Sequence, residues 1–408
     1  MDIWQLENGI RCAYKQIDHT KIAHFGIAFN LGTRDEKKGK EGLVHFWEHM
    51  AFKGTEKRKA KAIVDSIEVL GGEINAYTTK EKIYFHISIL AEHWRKALDV
   101  LVDICFHSVF PEKELALEKG VVLEEMSMYE DIPEENIVDV FEEYFFENHA
   151  LATNILGTRE SVAKTTREDF IEFVKEKLRG EEIVVSAVGP IESKKVSTAF
   201  NKKLNDLVFT GKSLNRIQPE TNQVFDLEEK KSINQVHCMM GFEGFPLDHE
   251  DRITLFMLVY YLGGSQMSSV LNMELREKRG LVYTVEAGNT TYSDTGLVSI
   301  YFGCDPANLK KCFSLVKKQI KKIAEVEVSP RVLKRVQGQL IAQLAMAEEN
   351  NQGLIQVMSR SILDLGYVQD LDEIIEKVKA IDPSVFKAVA EKVFNIEKMS
   401  VLKYIPKD

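Results

Sequence analysis

The order of apolar and polar segments in the first half of this 408-residue chain recurs in the second. QVHCMMGFEGF (235–245) echoes IAHFGIAFNLG (22–32), and RITLFMLVYYLGG (252–264) echoes GLVHFWEHMAFKG (42–54). GLVSIYFGCDPANLKKCFSLVKKQI (296–320) echoes KIYFHISILAEHWRKALDVLVDI (82–104). SPRVLKRVQGQLIAQLAMAEE and MSVLKYI in turn echo FPEKELALEKGVVLEEMSMYE and IVVSAVG. A repeat of this length means two copies of one supersecondary plan, and the chain is too long for a single ordinary core. The expectation is an α+β fold of two homologous domains, each a mostly antiparallel sheet with helices on one face, together forming half of a clamshell. The boundaries read as 1–210, a linker at 211–230 where Gly, Pro, Asn and Thr break the periodicity, and 231–408.

Within the first copy, 22–31 reads as a buried strand and 42–52 as an apolar helix. Residues 61–70 keep helical spacing and stop at Gly71-Gly72. The stretch 73–90 reads as two strands around a Thr-Lys-Glu turn, 92–106 as an amphipathic helix, and Pro111 opens a long helix to about Glu130. The β-branched run at 182–188 is another strand.

Composition narrows the function classes. The formal net charge is −10 and no long basic stretch is present, which argues against nucleic acid as a partner. The five cysteines, Cys12, Cys105, Cys238, Cys304 and Cys312, include no C-x-x-C pair and read as reduced core thiols. No apolar run approaches the ~20 residues that span a bilayer, so no membrane is expected. The N-terminal segment has neither a secretory nor a transit pattern, and a cytoplasmic location is the expectation.

The chemistry concentrates in His45-Phe46-Trp47-Glu48-His49. Two histidines at i, i+4 on a helix share a face within reach of one ion, and neutral imidazole suits Zn²⁺. Glu48 lies beside that face, where a carboxylate can take a proton from water activated by the metal. Burying such a group without an ion would be costly, which weighs against a helix that merely happens to carry these residues. A catalytic zinc needs a third protein donor. The acidic helix 112–130 offers Glu112, Glu114, Glu118, Glu124, Glu125 and Glu130. Glu118 and Glu125, seven apart, share a face, so one can bind the ion and the other orient a histidine; the pattern leaves open which does which. Glu112, Glu114 and Glu130 read as a solvated face. If Gly54 aligns with Gly263, the second copy presents Thr254, Met257 and Leu258 where the first has His45, Glu48 and His49. Only one half then carries chemistry.

HFWEHMAFKGT, GGEINAYTTKEKIYFH and EKGVVLEEMSM together resemble the pitrilysin family of zinc metallopeptidases, the inverzincins. The likeness is to the short bacterial type related to the mitochondrial processing peptidase β subunit, and LREKRGLVYTVEA with DTGLVSIYFG resembles that family's non-catalytic half. The resemblance implies one Zn²⁺ per chain on His45, His49 and Glu125, with Glu48 as base and Glu118 supporting the site. It implies that Asn75 and Ala76, on an edge strand, bind a peptide as an added strand. It also implies that Arg276 and Tyr283 reach the catalytic centre from the second half, Tyr283 stabilising the oxyanion and Arg276 holding a substrate carbonyl or carboxylate. Read without the resemblance, Arg276 is a surface charge and Tyr283 a strand aromatic.

The expected activity is a zinc-dependent endopeptidase hydrolysing unfolded peptides or oligopeptides. The alternative is a non-catalytic or processing-peptidase-like subunit that acts with a partner chain. Long members of the family join four such units in one polypeptide and this chain has two, so a homodimer is implied, or else a heterodimer with an inactive homologue. A metal-dependent hydrolase of another kind finds no support, since no phosphate-cradling glycine loop with a following Lys-Ser/Thr is present.

Overall fold

The computed structural model describes residues 1–220 and 224–407, and the chain forms two compact units. The first comprises Met1–Met126, Thr153–Arg216 and Met346–Gln369; the second comprises Ser127–Ala152, Ile217–Ala345 and Asp370–Asp408. The packing therefore does not divide at the single point expected near residues 210–230.

The first unit is built on strands β1 (Asp2–Gln5), β2 (Arg11–Gln16), β3 (Ile22–Phe29), β4 (Glu73–Thr78), β5 (Ile83–Leu90) and β6 (Ile183–Gly189). They lie in the order β1-β2-β6-β3-β5-β4, and every pair is antiparallel except β2 with β6. Its helices are α1 (Leu43–Ala51), α2 (Ala60–Glu68), α3 (Trp94–Phe106) and α4 (Glu112–Asp131), the end of which, from Ser127, belongs to the second unit. After α5 (Pro133–Phe145), which belongs to the second unit, come α6 (Arg159–Lys164), α7 (Arg167–Lys177) and α8 (Ser193–Leu204). The second unit has β7 (Asp226–Lys231), β8 (Val236–Gly244), β9 (Val282–Thr291), β10 (Gly296–Cys304) and β11 (Ser400–Pro406), ordered β7-β11-β8-β10-β9. Its helices are α9 (Arg252–Gly263), α10 (Leu309–Glu325) and α11 (Pro330–Glu348), followed after α12 (Asn351–Leu365) by α13 (Leu371–Ala380) and α14 (Pro383–Val393). Order and direction match strand for strand: β2-β6-β3-β5-β4 against β7-β11-β8-β10-β9, with β7 and β11 the parallel pair. The repeat expected from the sequence is present in the topology.

The expectation of helices on one face holds for the helices each half supplies to its own sheet. In β3, Phe25 packs against Trp94 of α3 and Phe200 of α8, and Phe29 against Trp47 of α1. The opposite face carries one further helix that comes from the other half. Leu354, Ile355, Met358 and Ile362 of α12 cover Ala13, Ala28, Tyr84, Val184 and Val188. Reciprocally, Ile137, Phe141 and Phe145 of α5 cover Met239, Leu297, Leu402 and Tyr404 in the second sheet. Both sheets need this cover because each exposes an apolar set on that side too. Each compact unit thus takes in one helix from the other half of the sequence.

The described residues of the expected linker are held at more points than its composition predicts. Its residues 221–223 lie outside those described. Before them, Gly211 N and Lys212 N donate to Leu178 O and Glu176 O. Arg216 is half-buried, pairs with Asp35 at 2.7 Å and hydrogen-bonds Asn30. After them, β7 is already an edge strand. All five cysteines are free and buried. Among the described residues no helix is long and apolar enough to cross a membrane.

Candidate metal centre

Helix α1 is fixed at its start. Gly42 sits at φ +84° with its Cα against Leu156, where a Cβ would come within 2.4 Å of a backbone oxygen. The buried carboxylate of Glu36 accepts from Gly42 N and Val44 N, at 2.8 and 2.7 Å, in place of the usual capping side chain. Leu43, Val44, Phe46, Trp47, Met50 and Ala51 are all buried. That packing settles the helix's rotation and leaves His45, Glu48 and His49 to one side, with α1 lying against β4.

Helix α4 completes the constellation. Leu115, Glu118, Val122 and Met126 are its buried residues, so the stripe that carries Glu118 and Glu125 turns inward. The two imidazole rings are 4.6 Å apart between centroids. Glu125 Oε2 lies 3.4 Å from His49 Nε2 and 3.8 Å from His45 Nε2. One donor atom from each of the three lies within 4.8 Å of the others. Among the described residues this is the one His/Cys/Asp/Glu group with such spacing. Two imidazole nitrogens and a carboxylate oxygen are the donor set of a three-ligand catalytic zinc site.

The surroundings fit that set. Glu118 Oε1 lies 2.9 Å from His49 Nδ1, which turns Nε2 toward Glu125. The other oxygen of Glu118 pairs with Lys53 Nζ at 2.6 Å. Burial, reinforced by the neighbouring His49, pushes the His45 imidazole down to about 4, so it stays neutral at pH 7. Burial also lowers the proton affinity of His49, but the hydrogen bonds and charges of Glu118 and Glu125 outweigh it and hold that ring at about 9. Without an ion, the proton on His49 is the positive charge between two carboxylates. A divalent cation replaces it there. Burial raises the Glu48 carboxyl above its ordinary range, against the opposing hydrogen bond from Thr78 Oγ1 to Glu48 Oε2.

The structure thus brings together His45, His49, Glu125, Glu118 and Glu48. Asn75 and Ala76 lie on β4, the last strand of the sheet, which pairs with β5 on one side only. Arg276 and Tyr283 belong to the second unit, where Arg276 lies in the last turn of a short π-helical segment (Asn272–Glu277) and its guanidinium stands 5.7 Å over the exposed Tyr283 ring. Lys53 and Thr78 were not singled out in the sequence. Lys53 stands four residues after His49, just past the helix end, and Thr78 closes the strand of Asn75 and Ala76, so proximity to the motif was the one available signal.

Comparison with known proteins shows the family. The model of the insulinase family, peptidase family M16, matches residues 11–159, and that of the M16 inactive domain matches residues 164–340. An uncharacterized zinc protease of Bacillus subtilis is 31% identical over 388 residues, covering 95% of this chain and 94% of the relative. A probable mitochondrial-processing peptidase subunit beta of Arabidopsis thaliana is 28% identical over 399 residues, covering 95% and 75%. Two crystal structures share the fold. One, a peptidase M16 inactive domain from Pseudomonas fluorescens, has a TM-score of 0.92 at 17% identity and covers 100% of this chain and 98% of that one. The other, a protease from Helicobacter pylori, has a TM-score of 0.90 at 20% identity and covers 99% of each. With its inverted zinc-peptidase motif, its repeated sheets and relatives along nearly its whole length, the chain belongs to peptidase family M16.

Proposed function

We propose that this protein is a zinc-dependent endopeptidase acting on unfolded peptides. The observation that carries the reading is the convergence of His45, His49 and Glu125 around one point, with Glu48 on the same helix. A reading as a non-catalytic subunit finds no missing donor to support it. Zinc held there would act as a Lewis acid, polarising the scissile carbonyl and lowering the pKa of water toward ~7. Glu48 takes the proton from the attacking water and passes it to the leaving amine. Thr78 occupies one oxygen of Glu48 and leaves the other free for that transfer. Asn75 and Ala76 offer the free edge of β4 to the substrate backbone, which reads main chain rather than side chains and so favours extended, unfolded segments. In the same reading Tyr283 donates to the developing oxyanion and Arg276 holds a substrate carbonyl or carboxylate, roles supported by the family resemblance.

The reading extends to a cytoplasmic location, in keeping with the five free, buried cysteines, and to a homodimer, which the family resemblance implies. Light scattering on the purified protein tests it; a monomer with full activity would refute the dimer. The central test compares wild type with Glu48→Gln on a mixture of unfolded peptides, with bound zinc measured in both. Zinc is expected in both and hydrolysis in wild type alone. Equal hydrolysis would remove Glu48 from the mechanism, and a wild type without zinc would remove the metal.

A further inference from the structure

Lys53 lies just beyond the C-terminal end of α1, yet its side chain turns back toward the centre. Its ammonium is 2.6 Å from Glu118 Oε2, and Glu118 Oε1 is 2.9 Å from His49 Nδ1. Glu118 is only 5% exposed, so its carboxylate has little water to satisfy its oxygens, and these two partners occupy both. We propose that Lys53 is a positioning residue for the metal site: through Glu118 it fixes the orientation and tautomer of His49. The proposal rests on the zinc reading above.

The backbone around Lys53 is held as a placed ammonium requires. Lys53 N donates to Met50 O at 3.1 Å, and Thr55 N to Arg58 O at 2.8 Å. Thr55 Oγ1 donates to Asp103 Oδ2 at 2.7 Å, and Arg58 bridges Asp99 and Asp103 of α3. Val109 N closes the other side on Gly54 O at 3.1 Å. Three elements thus fix the turn that carries Lys53, while the Lys53 side chain spans from that turn to α4. An imidazole can offer its Nε2 lone pair to a metal only when the proton resides on Nδ1. Glu118, whose other oxygen is anchored on Lys53, is the acceptor that holds the proton there. Lysine is suited to the task because a single point charge reaches one oxygen and leaves the other free for His49.

Outer-shell partners of this kind contribute on the order of 10–100-fold to metal affinity. The Lys53 side chain is 28% exposed, so methionine of similar length fits without burying a new polar group. The experiment measures zinc dissociation constants by chelator competition for wild type, Lys53→Met, Lys53→Arg, Glu118→Gln and the Lys53→Met/Glu118→Gln double variant, with circular dichroism as the check on folding. Lys53→Met is expected to bind zinc about tenfold or more weakly. Lys53→Arg should recover most of the loss, because it restores the ion pair. The double variant should bind no more weakly than Glu118→Gln alone, because lysine acts through the glutamate. The His49 Nδ1–H proton resonance of the zinc-loaded protein should move upfield in Lys53→Met as its hydrogen bond to Glu118 loosens, a signature that loss of packing alone would not produce. If Lys53→Met does not fold, Lys53→Gln serves in its place. Affinity within twofold of wild type in the folded lysine variant, or additive losses in the double variant, would overturn the proposal while leaving the zinc site intact. Failure of the wild type to bind zinc would instead remove the metal reading itself.

Discussion

Thr78 and Glu48 are joined by a single hydrogen bond, and its loss is expected to show in turnover. A hydrogen bond to a charged group contributes about 1.5–3 kcal/mol, or roughly ten- to hundredfold in a rate that depends on it. Thr78→Val keeps the shape and removes the donor, so kcat should fall by about tenfold with zinc content unchanged, and Thr78→Ser should restore it; steady-state kinetics with metal analysis checks this. A second expectation concerns protons. His49 is held at about 9 in the metal-free protein, above its ordinary value, so at pH 7 it carries a proton that an incoming cation must displace. Zinc binding at pH 7 should therefore release about one proton, measured by calorimetry in buffers of different ionisation enthalpy. Glu125→Gln should cost most of the zinc affinity, and unchanged zinc content would point to another donor. Of these residues, His45, Glu48 and His49 were legible because i, i+4 spacing is a property of the helix itself. Glu118 and Glu125 were legible as a pair, and resemblance distinguished them. Lys53 and Thr78 were not, because their partners are 65 and 30 residues away and meet them only through tertiary packing.

At the scale of elements, α12 most repays attention. Its apolar face covers β3 and β6, while Ser359 meets Ser186 at 2.7 Å and Gln352 meets His86 at 2.9 Å beneath it. Ile355 is fully buried there. Ile355→Ala is expected to destabilise the protein by about 2–5 kcal/mol, seen as a lower thermal midpoint, although the residue belongs to the half of the sequence without the metal motif. A sheet clothed on one side only would show alternating strands. IVVSAVG and IAHFGIAF are instead nearly unbroken apolar runs, and β6 is buried along its whole length. That is the pattern of a strand covered on both faces. The sequence therefore carried the sign of a second helical cover, but nothing in it said which helix would supply the cover. The strands and long helices were readable from their periods. The repeat showed that the two sheets would share one plan, but neither the strand order nor the exchange of α5 and α12 could be read from it.

For the whole molecule, that exchange means neither compact unit can be made from a contiguous half of the sequence. Residues 1–220 expressed alone lack α12 and should aggregate or remain incompletely folded. The same segment co-expressed with 221–408 should yield a soluble pair that purifies together on a tag carried by one fragment. Size-exclusion chromatography of the two preparations checks this, and a folded, monodisperse 1–220 fragment would contradict the packing described here. The parallel ladders β2-β6 and β7-β11 show why the sequence repeat was the stronger guide to architecture than the loose stretch at 211–230. Repeated apolar patterns record what a sheet must bury, whereas a polar stretch can still be pinned, as Arg216 is on Asp35.

The borrowed helix also sets a clock on synthesis. The ribosome has made every donor of the metal site once Glu125 is added, and β6 closes the first sheet at Gly189, but α12 is finished only at Leu365. At about 5–20 residues per second, the newborn chain waits on the order of 10–30 s with one side of that sheet bare. Ala13, Ala28, Tyr84, Val184 and Val188 face water during that interval, which is when the nascent protein is most open to a chaperone or to misassembly with its neighbours on the same message.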